Sequence, residues 1–367
     1  MKEDELLYAL ALQKTKSIGD ILAKKLITTL GSASAVYQEK SQNIKKLNGI
    51  GTITLANLKD KNPLKQAEKE IEFIIKNNIK TYYFLDDDYP IKLKYCIDGP
   101  ILYFQKGNTT FENRKVISIV GTRNMTSYGK DCCEQIIADL KIYNPIIVSG
   151  FAYGVDICAH RAAIKNGLET VAILAQGFGS LYPKSHKKYE KELLENGSFI
   201  TEFWYYDEPL REHFLQRNRI IAGLSEATIV IESAEKGGSL VTADIADSYN
   251  RDVFAVPGRT SDKYSKGCNQ LIKQNKAIML NSTTDLITEL SWEKSSIHNK
   301  IIQPKLFEEL SETEQLIVSF LQSNGKFELD LISLNNKLTI QQTASILFNL
   351  EMKGIVKALP GKMFEVI

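Results

Sequence analysis

The sequence is poor in histidine, has no paired cysteines and lacks a long apolar run, and each shortage removes a class of protein. Its four histidines and five cysteines (Cys96, Cys132, Cys133, Cys158, Cys268) form no C-x-x-C pair and no spacing suited to zinc, so reduced thiols and no metal site are expected. No stretch approaches the roughly 20 apolar residues of a membrane span. The opening "MKEDELLYAL" puts acids where a signal peptide needs cations. The expectation is a cytoplasmic protein without membrane insertion. A surplus of one charge is also missing: 46 basic against 44 acidic residues leave a formal net charge of +2, so any nucleic-acid site has to be a local patch. Both nucleotide fingerprints are absent. "VGTRNMTSYG" has Arg123 where G-x-G-x-x-G needs close backbone approach, and "KGGSLVTA" is not the Gly-Lys-Ser/Thr of a Walker loop. No cofactor is expected.

What the 367 residues do contain falls into three regions. Residues 1–65 are helical in pattern, and "SIGDILAKKLI" and "LNGIGTITLANL" each set a glycine turn before a helix, as in helix-hairpin-helix turns. There Gly49 and Gly51 would offer backbone amides to a DNA phosphate; packing on a neighbour or a partner protein is an equal alternative. Residues 66–292 alternate short apolar runs with amphipathic stretches. The runs are "VISIVG" (116–121), "PIIVSG" (145–150), "TVAILAQ" (170–176), "FITEF" (199–203), "ATIVIES" (227–233) and "DVFAVPG" (252–258). Runs this apolar suit strands buried on both faces, and the segments between them can hold crossover helices. The fold class is α/β, a doubly wound parallel sheet, with "TYYFLDDDYPIKLKYCIDGPILYFQKG" as an added edge element. A polar linker (293–305) leads to a unit at 306–367. Ser311 with Glu314 and Thr339 with Gln342 form capping boxes there, and two short strands flank Pro360 and Gly361. That order describes a winged helix. Its recognition helix offers Gln341 and Gln342 but little positive charge, which favours docking to a partner over groove binding.

Ligands of open α/β sheets bind beyond the carboxyl ends of the strands. After the first run stand Gly121, Thr122 and Arg123. After the second, Ser149, Gly150 and Gly154 flank a helix start with Asp156 in its first turn. After the fifth, Lys236 precedes Gly237 and Gly238, with Ser239 expected as the helix cap. Three such turns would gather unpaired N–H donors at one edge, which is expected to bind phosphates. The stretch "REHFLQRNRIIAGLS" (211–225) sets Phe214 among Arg211, Arg217 and Arg219. It suits a single strand whose bases stack on a ring while cations meet its phosphates; a surface helix with Phe214 buried and solvated arginines is the alternative. His160 has no nucleophile motif beside it, and Glu202 and Glu232 read as orienting Arg or backbone donors. No catalytic residue is assigned.

In this order "VGTRNMTSYG", "SGFAYGVD", "LAQGFGSLYP", "HFLQRNRIIAGLS", "EKGGSLVTA", "AVPG" and "GCNQLI" resemble the DNA-processing protein A family, DprA or Smf, over essentially the whole chain. The resemblance implies an extended Rossmann-like domain with a SAM-like or helix-hairpin-helix N-terminal module and a winged-helix C-terminal module. It implies a non-enzymatic, dimeric protein that binds and protects single-stranded DNA in natural transformation and helps load the RecA recombinase. The implied DNA pocket comprises Gly121, Thr122 and Arg123; Ser149, Gly150, Phe151 and Gly154; Phe214 with Arg217, Asn218 and Arg219; and Lys236, Gly237, Gly238 and Ser239. "TEFWYYDEP", Gln176 and "GCNQLIKQNKA" depart from the family pattern, which bears on the loop after the fourth strand and on dimer contacts. The competing reading is a nucleotide phosphoribohydrolase of the lysine-decarboxylase-like group, whose P-G-G-x-G-T-x-x-E is met here by "KGGSLVTAD". Asp244 stands where the catalytic Glu would be, a methylene too short for hydrogen-bond reach.

Overall fold

The computed structural model describes residues 3–47, 49–292, 310–353, 355–359 and 363–366. They fall into two compact units, and the expected linker at 293–305 lies outside the described residues.

The first unit opens with α1 (Glu3–Lys14), α2 (Asp20–Leu30), α3 (Ala33–Gln38), α4 (Ser41–Ile44), α5 (Thr52–Leu58) and α6 (Asn62–Lys76). Gly19 and Gly51 stand immediately before α2 and α5, and Gly49 takes a left-handed φ of 93°. The helix α6 carries the chain unbroken through residues 65 and 66. Next come β1 (Lys80–Tyr83), α7 (Ile91–Lys94) and β2 (Leu102–Gly107), the added edge. The repeat follows: β3 (Val116–Val120), α8 (Ser127–Leu140), β4 (Ile146–Ser149), α9 (Val155–Lys165), β5 (Thr170–Ile173), α10 (Glu190–Glu195) and β6 (Gly197–Thr201). It continues with α11 (Arg211–Leu224), β7 (Ala227–Val230), α12 (Gly238–Ser248), β8 (Asp252–Ala255), α13 (Lys266–Lys273), β9 (Ile278–Met279) and α14 (Thr283–Glu289). All six apolar runs are strands.

The sheet order is β1-β2-β6-β5-β4-β3-β7-β8-β9. Strands β3 to β9 pair in parallel, while β2 is antiparallel to β6 and β1 to β2. From β3 the chain winds one way through β4, β5 and β6, then returns beside β3 as β7 and winds the other way. The crevice between β3 and β7 is therefore the switch point at which such sheets take their ligands.

Alternation along each strand divides the core. Val116 and Val120 of β3, Ile146 and Val148 of β4 and Val230 of β7 face the N-terminal helices, α11 and α12. Ile117, Ile119, Ile147 and Ile229 face α8 and α9. Successive strand side chains point to opposite faces, so a strand covered on both sides has to be apolar at almost every position. The core of α1 to α6 is continuous with the first of these faces.

The second unit comprises α15 (Glu312–Asn324), β10 (Phe327–Glu328), α16 (Leu329–Asn335), α17 (Ile340–Met352), β11 (Val356–Leu359) and β12 (Met363–Val366). Its sheet order is β10-β12-β11, and its core is built on Ile317, Leu321, Ile332, Leu347, Leu350 and Val356. Both expected capping boxes are present, Ser311 with Glu314 opening α15 and Thr339 with Gln342 opening α17.

Candidate functional site

The switch point holds a cleft of about 1080 Å³ whose walls come from the loop after β3, the loop after β7, the start of α12 and one face of α11. Arg123, Phe214 and Lys236, more than 110 residues apart at the extremes, all line it, with Gly121, Thr122, Arg217, Asn218, Gly237, Gly238 and Ser239. On α11 the residues Phe214, Arg217, Asn218 and Ile221 recur at helical spacing and form one wall. The Arg123 guanidinium lies 5.1 Å from the centroid of the Phe214 ring, and that of Arg217 lies 6.0 Å away. Tyr182 meets the same ring edge-on at 5.7 Å.

The three helix starts differ in what they leave open. That of α8 is taken by the protein's own anion. Glu232, buried at the end of the β7 run, accepts from the Thr126 backbone N–H at 2.9 Å and from its hydroxyl at 2.5 Å, while the Thr126 hydroxyl oxygen accepts from Gly129 N–H. At α9 the Val155 N–H donates to the Thr122 carbonyl, and Asp156 occupies the first turn. The α12 start faces the cleft and, like that of α9, has no side-chain cap. Gly237 precedes it, Gly238 has open space where a Cβ would stand, and Lys236 is exposed beside it. The expected Ser239 cap does not form: Ser239 lies inside α12 and its hydroxyl donates to the Ser233 hydroxyl at 2.9 Å. An uncapped helix start with an adjacent lysine is an anion site by dipole, free donors and charge together.

The turn after β4 supports the cleft from behind. The Ser149 hydroxyl donates to the Ile119 carbonyl at 2.6 Å, and the Phe151 ring is packed edge-on against Phe199 and His186. Both are buried, and neither they nor Gly150 and Gly154 line the cleft, although Ala152 and Asp156 of the same turn do. Gly154, at φ 77°, lies against the Thr122 and Arg123 backbone, where any Cβ would collide. A Cβ on Gly150 would strike the Arg217 guanidinium and the Asp156 carboxylate. His160 bridges Thr170 and the Gly150 carbonyl, and burial pushes its imidazole down to about 4. It is a packing histidine.

Within the α11 wall, Arg217 donates to the Ile173 carbonyl. Its Nε is buried without a partner among the described residues. Burial pushes it down to about 10, opposed by Asp156 and reinforced by Arg123. Burial raises Asp156 in turn, against the pull of Arg217.

Arg219 is not in the cleft. Two residues beyond Arg217, about 200° around a helix of 3.6 residues per turn, it faces the N-terminal helices instead. There it pairs with Glu202, with Asp20 at 3.0 Å and with the Asp98 carbonyl. Burial alone would lower its affinity for the proton, and Glu202, Asp20 and Asp98 more than offset that. Glu202 and Glu232 thus hold an arginine and a backbone donor, as their places in the sequence suggested. Asp244 lies at the cleft rim and pairs with Lys276 at 2.7 Å. Sequence reasoning missed Lys263 and Tyr264, which reach the cleft from the loop after β8, and Asn124. A lysine next to a tyrosine in an unpatterned loop carries no signal.

Residues 80–291, more than half of the chain, match the DNA recombination-mediator protein A family. The chain belongs to that family. Among its relatives, DNA processing protein DprA of Bacillus subtilis is 39% identical over 214 residues, 58% of this chain and 71% of that protein. The Streptococcus pneumoniae protein of the same name is 37% identical over 212 residues, 58% and 74% of the two chains. Protein Smf of Synechocystis is 30% identical over 311 residues, 79% of this chain and 74% of its own. The crystal structure of the S. pneumoniae protein superposes with a TM-score of 0.63 at 30% identity, covering 78% of this chain and 98% of that one. Helicobacter pylori DNA processing protein A, solved to describe its single-stranded DNA binding mode, gives 0.53 at 27% identity over 58% of this chain and 95% of its own. The family is one of DNA recombination mediators and not of enzymes, so the phosphoribohydrolase alternative is set aside. Among the described residues no helix is long and apolar enough to cross a membrane.

Proposed function

We propose that the switch-point cleft binds single-stranded DNA without cutting it. The observation that carries this reading is the meeting of Arg123, Phe214 and Lys236 at the start of α12, which no side chain caps. Lys236 and the α12 amides hold one phosphate and Arg123 another, and Phe214 supplies a face for a base. Thr122, Arg217, Asn218, Gly237, Gly238 and Ser239 complete the wall. Ser149, Gly150, Phe151 and Gly154 position it, and Arg219 anchors it from the far side of α11. The likeness to the H. pylori protein, whose single-stranded DNA binding was the subject of its structure, supports the ligand class.

In the cell this activity protects incoming strands in the cytoplasm during natural transformation or recombination and delivers them to the RecA recombinase, with the chain acting as a homodimer. Residues 1–65 serve as a SAM-like, helix-hairpin-helix-type module on an extended Rossmann-like domain at 66–292. The helix and strand order from α15 to β12 supports reading the second unit as a winged helix that docks to partners.

A gel-shift series with single strands, duplex and mononucleotide competitors tests the reading. Preferential retention of single strands, with weak competition by mononucleotides, is the expected result; equal affinity for mononucleotides would overturn it.

A further inference from the structure

The helix α17 buries Thr343, Leu347 and Leu350 in the core of the second unit. Its exposed side also carries an apolar stripe. Ile340, Phe348 and Met352 are exposed at 52%, 61% and 75%, and Ala344 is exposed between them. Residues four apart lie one above another on a helix, so 340, 344, 348 and 352 form one continuous stripe. No lysine or arginine lies on α17, which leaves a nucleic-acid backbone nothing to pair with there.

We propose that this stripe docks against the same stripe on a second copy of the chain, the two α17 helices running antiparallel. Between Asn336 and Lys353 the charged residues are Lys337, Glu351 and Lys353, and Lys353 is held by Glu314 at 2.9 and 3.1 Å. The charges left are Lys337 before one end of the stripe and Glu351 near the other. A parallel pair would set like against like. An antiparallel pair centred near Ile346 brings Glu351 beside the first turn of the partner helix, close to Lys337, and opposes the two macrodipoles. Size agrees with charge in this register, because Ala344 falls opposite Phe348 and leaves room for its ring, while Ile340 falls opposite Met352. Four side chains cover much less than the roughly 1,200 Å² of a standing interface, so the contact forms where chains are concentrated. The inference does not rest on the cleft: loss of DNA binding would leave it standing.

The test uses full-length chains in a Cys132→Ser background, since the other four cysteines are buried. Ile340→Cys and Met352→Cys chains carrying different tags are mixed and treated with a short bis-maleimide, which adds one thiol at each end. The expected product joins residue 340 of one chain to residue 352 of the other, in excess over the 340–340 and 352–352 products, and Phe348→Glu or Ala344→Arg in both chains abolishes it. Circular dichroism melting checks that each variant folds. Absence of the mixed product, its formation in no excess, or its survival in both charged variants would overturn the proposal and give the stripe to another occupant.

Discussion

The Arg123 guanidinium rests over the Phe214 ring at 5.1 Å, so the surface offered to a base is a cation and a ring already stacked on each other. In the proposed reading an entering base would extend the stack or replace the guanidinium, and both residues would contribute to the same contact. Phe214→Ala is expected to weaken single-strand binding by about 1–3 kcal/mol. Fluorescence anisotropy with a short labelled oligonucleotide measures this, and unchanged affinity would remove Phe214 from the site.

Arg123 and Lys236 line different walls of one cleft, and in the proposed reading each meets a phosphate. Each alanine variant is expected to flatten the dependence of log K on log salt by about 0.7, the value for one phosphate contact on a single strand. A salt titration reads the slope directly. Equal slopes in wild type and both variants would mean that neither cation meets the backbone.

Arg219 separates a structural arginine from those proposed to bind. Arg219→Ala leaves Glu202 buried without its cation, and loss of one partner of a buried pair costs about 3–5 kcal/mol. Arg123→Ala, at an exposed position, is expected to change stability by no more than about 0.5 kcal/mol. Urea denaturation of the two variants side by side decides the contrast.

Gly154 should be sensitive to alanine and Gly238 should not. At Gly154 a left-handed φ and the adjacent Thr122 and Arg123 backbone penalise any side chain, at about 1–3 kcal/mol for the conformation alone. Gly238 faces open space, and alanine there is expected to leave the melting temperature unchanged. Thermal melts of both variants are the check.

Burial pushes the Glu70 carboxyl up to about 7 from an ordinary value of 4.5, although it accepts from the Tyr205 N–H at 2.9 Å. Between those values the folded protein holds a proton that the unfolded chain has released, so Glu70 lowers stability as pH rises through that window. Glu70→Gln keeps an acceptor for Tyr205 and cannot titrate. Its melting temperature relative to wild type is therefore expected to rise from pH 5 to pH 7, and a constant difference would place the Glu70 titration elsewhere.

The sheet was legible because strands covered on both faces have little freedom in composition: "VISIVG" and "ATIVIES" read as strands without any neighbour in view. The residues that meet in the cleft were legible because glycine turns at strand ends are confined to one edge. Faces of helices were not. Arg217 and Arg219 look alike in "FLQRNRII", and only the position of Asp20, about 200 residues away in the chain, assigns one to the cleft and the other to the N-terminal helices. Phe151 stands in a glycine-rich turn yet belongs to the core with Phe199, because a short turn can point only some of its side chains outward. The Ser239 cap failed for a local reason: α12 starts one residue earlier than the serine, at a glycine.

The Arg219 pair with Asp20 and Glu202 fastens α11 from behind while Phe214 and Arg217 look out from its front. A helix bolted in this way has little room to turn or slide when something settles against it. In the proposed reading, the loss of freedom at this wall would fall on the incoming strand, which would adapt to a helix face already held in place.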